Sequence, residues 1–383
     1  ARVEYYPYLL VTGDDDEYGT IQINHAGKLD WIRSIYDPGT LQDHRKITSF
    51  IQVHDIDMSV FNREYELESY NITTFTTIGS GINSNYGFTA SLYDFSKLSY
   101  NGQNFVIYNL LLHGNAFKQS STTLALFETA SSISNLGVSV EIPQASQMYV
   151  AGLVGQMDTD GMVDNCFVQI EAQSLRNSCS YVAPVVAKLT KTTYQDSYMT
   201  TSIINTFAVG RITINNNDIH VATLGNTVDA ISINGRNSNY SAVSVVDLDF
   251  EGVEQQDRKQ FASASSFYYD PNISLFTSYR GTKISFADSW LTENVTNLLY
   301  GKWNYSISNY PVQDWVLQNE NAKQVLGYTS SDEGSGSYLS PYKFSIISSQ
   351  SALDKKFTIE NSNDSSRSYV HFADEVKSIV LPS

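Results

Sequence analysis

Two kinds of short β segment alternate along this chain of 383 residues from about residue 100 onward. Segments of the first kind are small and apolar with Ala or Gly near the middle: TLALFETA (123–130), YVAGLVGQ (149–156), YVAPVVAK (181–188), HVATLGNT (220–227) and FASASSFY (261–268). Segments of the second kind are longer: FVIYNLLLHG (105–114), SISNLGVSVEI (132–142), MVDNCFVQIEA (162–172) and SIINTFAVGRI (202–212). Copies recur at spacings of about 26 to 40 residues, the length of units that bury their apolar faces only by stacking. The sequence therefore predicts a solenoid.

Each segment of the second kind carries an apolar residue, one spacer and then an asparagine, at Asn109, Asn135, Asn165 and Asn205. Stacked coils lie about 4.8 Å apart, so an asparagine at a corner is expected to hydrogen-bond to its copy in the next coil. Later copies, AVSVVDLDFEG (242–252) and KISFADSWLTE (283–293), lose the asparagine but keep the alternation. That alternation sends apolar side chains inward and polar ones outward.

The predicted fold class is all-β: a right-handed parallel β-helix over residues 56–318, with an N-terminal capping segment (1–55) and a small C-terminal antiparallel β unit (319–383). The N-terminal segment contains AGKLDWIRSIY (26–36), whose apolar spacing predicts one helix that ends before Asp37. The C-terminal unit is predicted from four short alternating segments: KFSIIS (343–348), KFTIEN (356–361), SYVHFA (368–373) and KSIVLP (377–382).

The run AGLVGQMDTDGMVDNCFVQIEA (151–172) resembles the motif of the GLUG-repeat family, which reads Gly-Leu-Val-Gly, a short turn and then Ile-x-Asn-Cys. Upstream segments follow the order of that family's leading region: HDIDMSVF (54–61), FTTIGS (75–80) and SYNGQNFVIYNLLLHG (99–114). The later KWNYSISNYPVQDW (302–315) resembles its closing Trp-and-Pro segment. The resemblance implies a β-helix of surface and adhesin-like proteins. It carries over no catalytic residue, because the repeat has none.

Charge and hydropathy narrow the set of partners. The chain has 24 Lys plus Arg against 40 Asp plus Glu, a net charge of −16, which disfavours binding to nucleic acid or anionic lipid. It has no run of about 18 apolar residues, so no membrane insertion is expected. The N-terminal ARVEYYPYLL lacks the pattern of a signal peptide. We therefore expect either a signal already removed or a trimmed initiator Met, and an extracellular, cell-surface or virion-surface location.

A cation site and a disulfide are the two sites suggested in the middle of the chain. Asp158, Asp160 and Asp164 surround Gly161 and could bind a hard cation such as calcium, although Asp-Gly is also a common turn pair. No other cofactor is expected. Cys166 and Cys179, thirteen residues apart, could pair if they lie on neighbouring strands; the alternative is two small buried hydrophobic side chains.

Aromatic residues concentrate between residues 267 and 315, and some of them are candidates for ligand binding. Exposed rings stack on sugars and anchor protein interfaces, whereas a packed terminal cap uses the same residues. The candidate ligand-binding residues are Tyr268, Tyr269, Tyr279, Trp303 and Trp315.

No catalytic residue is predicted, because the chain has no Gly-x-Ser-x-Gly elbow, no phosphate-binding loop and no metal-ligand spacing among its six histidines. Asp247, Asp249 and Glu251 alternate along one strand, as an exposed ladder or as a glycan site. We expect a non-enzymatic attachment protein that binds a surface glycan or protein receptor, with a possible homo-oligomer. The alternatives are a polysaccharide-cleaving lyase or glycosidase and an architectural filament subunit.

Overall fold

The computed structural model describes part of the chain. The described residues are 18–32, 46–61, 75, 77–78, 97–115, 122–157, 161–176, 178–189, 193–194, 197–198, 202–215, 219–222, 224–227, 239–250, 267–269, 282–283, 303–304, 312–326, 342–344 and 370–372. The chain divides into two units, Ala1–Trp303 and Asn304–Ser383.

The first unit is mostly β-strand. Its elements are β1 (Tyr18–Ile23), α1 (Ala26–Trp31), β2 (Lys46–Gln52), β3 (Ile56–Asp57), β4 (Ser99–His113), β5 (Thr123–Leu124), β6 (Phe127–Thr129), β7 (Ser132–Gln144), β8 (Tyr149–Ala151), β9 (Val154–Met157), β10 (Met162–Asp164), β11 (Phe167–Ala172), β12 (Tyr181–Ala183), β13 (Val186–Leu189), β14 (Thr193–Tyr194), β15 (Ser197–Tyr198), β16 (Ser202–Ile214), β17 (His220–Val221), β18 (Gly225–Thr227), β19 (Asn239–Phe250), β20 (Phe267–Tyr269), β21 (Thr282–Lys283) and β22 (Trp303–Asn304), whose last residue begins the second unit. A short 3-10 turn spans Ser59–Phe61.

Three parallel sheets organise this unit. The long sheet has eleven described strands in the order β1-β2-β4-β7-β10-β16-β19-β20-β21, with β11 paired to both β7 and β16 and β3 paired to β4. The first short sheet has the order β17-β12-β8-β5, and the second short sheet has the order β18-β13-β9-β6. From β4 to β19 the chain visits the long, first short and second short sheets in that order, again and again. The predicted all-β class with parallel pairing is therefore confirmed.

Apolar side chains in register form the core, because alternate residues of each strand point to the same face. In β11 the buried Val168 and Ile170 align with Val138 and Val140 of β7. In the first short sheet Val150 aligns with Val182. Each such side chain, when fully buried, contributes about 1.5–3 kcal/mol to stability. The spacing of the repeats is therefore set by the need to stack one apolar row on the next.

The corner asparagines take the left-handed backbone conformation, which asparagine tolerates better than most residues. The φ angles of Asn135, Asn165 and Asn205 are 53°, 54° and 49°. The Asn165 side chain donates through Nδ2 to Oδ1 of Asn135 at 2.7 Å, and Asn135 donates to Oδ1 of Asn101 at 3.1 Å. The predicted bond between copies is confirmed for Asn165 and Asn135. Asn205 instead donates to Oδ1 of Asp164 at 3.0 Å.

Asn109 was predicted to occupy the same corner, and that prediction is wrong. Tyr100 of β4 aligns with Ile133 of β7, whereas Ile107 aligns with Val138, past the corner. The register is interrupted between Asn101 and Phe105, where Gln103 and Asn104 have φ angles of 49° and 65°. These extra residues move the turn upstream. Asn109 lies at a second interruption of the register of β4, and its φ angle is 55°. Its side chain donates to Oδ1 of Asp57 at 2.9 Å.

The N-terminal part combines the predicted helix with the first strands of the long sheet. Helix α1 confirms the expected position, and its Leu29 and Ile32 are completely buried in the main core. Strands β1 and β2 pair in parallel and continue the long sheet into β4. They lie within residues 1–55, so this segment also contributes strands to the sheet.

The second unit contains β23 (Val312–Gln313), a 3-10 helix (Asp314–Gln318), α2 (Glu320–Val325), β24 (Tyr342–Phe344) and β25 (Val370–Phe372). Asn319 caps α2, because its Oδ1 accepts from the amide of Ala322 at 3.0 Å. Strands β24 and β25 pair in parallel, so the predicted antiparallel pairing is wrong for them. Parallel strands need a long connection, and residues 345–369 separate these two; the segments at 356–361 and 377–382 lie outside the described residues. Neither helix in the described ranges is long or apolar enough to cross a lipid bilayer.

Candidate functional site

A groove on the outer face of the long sheet is the first candidate site, and we call it the wall groove. It has a volume of about 470 Å³, within the usual range of ligand sites. It is lined by Ser59, Asn109, Leu110, Leu111, Ser139, Val140, Glu141, Gln169 and Glu171.

The strand alternation explains why these polar residues reach the outer face. Val138 and Val140 point into the core, so Ser139 and Glu141 of β7 point outward. The same alternation of inward and outward residues applies in β11. The register of the two strands places Ser139 beside Gln169. The Ser139 hydroxyl donates to Oε1 of Gln169 at 2.6 Å. The groove therefore offers polar groups in rows one strand spacing apart.

The groove is acidic at its centre. Glu141 aligns with Glu171 on the adjacent strand, a backbone separation of about 4.8 Å. Glu171 in turn aligns with Arg211, and Arg211 aligns with Asp247. Leu111 begins the same row on β4. The row therefore joins an apolar side chain to charged ones, a combination suited to ligands that present both hydroxyl groups and C–H faces.

Hydrogen bonds also organise the rim of the groove near Asp57. Burial acts to raise the pKa of Asp57, but hydrogen bonds from the side chain of Asn109 and from Ser59 outweigh it and hold the pKa below its ordinary value. The Ser59 amide donates to Oδ1 of Asp57 at 2.9 Å. Asp57 therefore stays ionised and fixes two residues that line the groove.

A second pocket lies where β7 and β11 end, and we call it the Arg176 pocket. It has a volume of about 570 Å³. Its lining is Gln144, Ser174, Leu175, Arg176, Ser178 and Asn215. Arg176 is exposed, whereas Leu175 is buried. This pocket differs from the wall groove because the charge in its lining is positive.

An aromatic ladder lies on the first short sheet. The rings of Tyr149 and Tyr181 stack with centroids 5.7 Å apart and an interplanar angle of 17°, and Nζ of Lys188 is 5.6 Å from each centroid. The stacking covers one face of each ring. This arrangement stabilises the wall by stacking and cation–π attraction, and sequence inspection did not single it out.

The predicted aromatic residues lie in separate segments of the chain. Tyr268 and Tyr269 are consecutive residues of β20. Trp303 and Trp315 are only 9% and 8% exposed, as expected for side chains that pack in a core. Tyr279 lies outside the described residues.

Of the three predicted calcium ligands, only Asp164 lies in the described part of the chain. Asp158 and Asp160 lie outside the described residues, and Asp164 accepts a hydrogen bond from Asn205. No group of three or more His, Cys, Asp or Glu side chains suited to a metal occurs among the residues that the structure describes.

Cys166 and Cys179 do not form the disulfide that their spacing suggested; both are free and buried. Cys166 follows a corner of the long sheet and donates to the carbonyl of Asp164 at 3.2 Å. Cys179 precedes the first short sheet and donates to the carbonyl of Ala145 at 3.5 Å. In the first short sheet, aligned residues of neighbouring strands are 26 residues apart (Thr123 and Tyr149) or 32 residues apart (Tyr149 and Tyr181). A spacing of thirteen is therefore too short to place the two thiols side by side on neighbouring strands of such a sheet.

The acidic positions near the end of β19 follow the expected alternation. Ala242, Ser244, Val246 and Leu248 are buried, so positions 247 and 249 belong to the opposite face. Asp249 is aligned with Thr213, and Glu251 lies outside the described residues.

Sequence inspection missed the residues of both pockets. Aligning SISNLGVSVEI with MVDNCFVQIEA on their asparagines would have placed Glu141 beside Glu171, since both are six residues after the asparagine. Arg176 gave no comparable signal, because its pocket depends on contacts between segments in different repeats.

No protein-family model, no curated protein and no solved structure matches this chain. The resemblance to the GLUG-repeat family therefore stays a prediction.

Proposed function

We propose that the chain is a right-handed parallel β-helix that presents its outer wall for attachment to a surface glycan and carries out no reaction of its own. The repeated passage through three parallel sheets supports a helix of this kind. The right hand follows from the strong preference of parallel β crossovers for that hand. A GLUG-type surface protein on a cell or virion would have this architecture.

The wall groove is the observation that carries the proposal. Glycan sites combine hydroxyl-binding polar groups with an apolar surface, and the groove offers Ser139, Gln169 and two glutamates beside Leu111. Its polar groups project from paired strands rather than from loops. Such a site needs little ordering when a ligand binds.

Binding of the full chain to an array of defined glycans tests the proposal. We expect at least one glycan to be retained and Gln169→Ala to weaken its binding about threefold to tenfold, the effect of losing one hydrogen bond. The matched control is Gln156→Ala, since Gln156 is also half-buried but lies on the second short sheet. Retention of no glycan, or equal weakening by both variants, would contradict the proposal.

A second candidate function is glycoside hydrolysis. The alignment of Glu141 with Glu171 on adjacent strands favours it, because glycosidases use a pair of carboxyl groups on either side of the bond that they cleave. Incubation with glycans retained on the array distinguishes the two functions. Release of reducing ends, abolished by Glu171→Gln while binding persists, would replace attachment by catalysis. Unchanged glycans after prolonged incubation would leave attachment as the function.

A further inference from the structure

The Arg176 pocket adjoins the wall groove along the direction of the strands. Gln144 is three residues beyond Glu141 on β7, and Ser174 is three residues beyond Glu171 of β11. Three residues of extended chain span about 10 Å. Ser174 and Arg176 are exposed, so the pocket opens to solvent near the ends of the two strands that line the groove. A ligand that extends about 10 Å beyond the groove along the strands would reach it.

The segment that carries Arg176 is tied to the preceding repeat. The Arg176 amide donates to the carbonyl of Ala145 at 3.0 Å, and Leu175 forms a parallel bridge with Ala145. The Ser178 hydroxyl donates to the carbonyl of Ser146. The buried side chain of Leu175 adds an apolar anchor. These contacts hold the pocket in place before any ligand arrives.

The Arg176 guanidinium is also oriented. When the Gln144 amide oxygen faces it, that oxygen accepts from Nε of Arg176 at 2.7 Å and from Nη2 as well. A guanidinium has five N–H donors in a planar fork. One edge is therefore directed at Gln144, and the second N–H of Nη2 and both N–H groups of Nη1 remain for a ligand. An exposed, pre-oriented fork of this type matches the two oxygens of a carboxylate.

The charges of the two sites differ in sign and so predict the charge pattern of the ligand. The wall groove contains the exposed Glu141, which repels an anion, and Glu171, which lies beside Arg211. The Arg176 pocket contains a cation with the hydroxyl of Ser174 and the amide of Asn215. A uniformly anionic glycan fits only one of these sites, whereas a glycan that is neutral along its length and acidic at one sugar fits both.

We propose that the Arg176 pocket binds the carboxylate of an acidic sugar attached to a glycan whose neutral part lies in the wall groove. This inference rests on the proposed function and specifies its ligand. Arg176 is then the residue that selects acidic glycans over otherwise identical neutral ones.

A glycan array with neutral, carboxylated and sulfated members tests the inference on the full chain. We expect carboxylated members to be retained best. The best of them is then titrated beside its methyl ester, which keeps the sugar and removes the charge. Arg176→Gln should weaken binding of the acid about tenfold to a hundredfold, the effect of losing charged hydrogen bonds, and leave the ester unchanged. Arg176→Lys should recover only part of the loss, because lysine lacks the fork.

Lys188→Gln is the matched control, because it removes a cation from the second short sheet, and it should leave binding of the acid unchanged. Preference for sulfated members, equal binding of acid and ester, or equal loss in both charge variants would overturn the inference. If neutral glycans are retained and Gln169→Ala weakens them, the inference fails while the proposed function stands. Retention of no glycan would overturn both.

Discussion

Asn165 connects two repeats through its side chain while its backbone forms the corner, so its replacement separates two contributions to stability. Asn165→Ala removes the 2.7 Å bond to Asn135, worth about 1 kcal/mol. It also forces alanine into the left-handed region at φ of 54°, at a cost of about 1–2 kcal/mol. We expect the free energy of unfolding to fall by about 2–3 kcal/mol.

Asn165→Gly is the matched comparison. The glycine variant loses the same hydrogen bond but adopts the left-handed backbone without strain. The greater conformational entropy of glycine in the unfolded chain lowers the stability by about 0.4–1 kcal/mol. The glycine variant should therefore be the more stable by roughly 1 kcal/mol. Urea unfolding followed by far-ultraviolet circular dichroism measures both. Equal stability of the two variants would refute the role of the left-handed corner, and no loss in either would refute the asparagine bond as well.

Two further predictions concern stability and thiol chemistry. Gly210→Ala should destabilise the fold more than any corner substitution, because φ of Gly210 is 125° and the added Cβ would collide with the backbone oxygen of Ile170. Urea unfolding measures the effect. A decrease in the free energy of unfolding of less than about 1 kcal/mol would contradict this prediction. Burial raises the pKa of Cys166 to about 12 and that of Cys179 to about 11, so both thiols should resist disulfide reagents at pH 8 until the chain is unfolded. Fast labelling of either native thiol would show that its burial is wrong. Because the pKa values of both thiols are raised in the folded state, the contribution of each thiol to the free energy of unfolding is fully present below the unfolded pKa of about 8.5. It decreases as pH rises toward 12, by up to about 1.4 kcal/mol per pH unit for each thiol. The free energy of unfolding, measured from pH 8 to pH 11, should therefore fall.

Local sequence predicted the repeating elements well. The small apolar segments at 149–156 and 181–188 each became two short strands, β8 with β9 and β12 with β13, in different sheets. The longer segments became β7 and β16, and helix α1 formed where the apolar spacing indicated. These features depend on residues close together in the chain. Alternation and helical spacing are visible there because each strand or helix exposes one face to the core.

Register was harder to predict, and the error at Asn109 shows why. Ile107, Tyr108 and Asn109 have the same pattern of an apolar residue, a spacer and an asparagine as the other copies. The extra residues before Phe105 nevertheless shift the alignment of β4 against β7. Only stacking of apolar side chains on the neighbouring strand selects the true register. The parallel pairing of β24 with β25 was missed for a similar reason, since alternation within a strand does not encode the direction of its partner.

By itself, the sequence determined that this chain builds strands of recurring length, turns at asparagine corners and sends uncharged polar side chains outward, because these are local consequences of backbone conformation and strand alternation. Tertiary structure alone decided which side chains became neighbours. Glu141 meets Glu171, and Arg176 meets Gln144, through residues about 30 positions apart in sequence. Stacking places such residues on neighbouring strands, and the candidate sites exist only after the repeats have assembled.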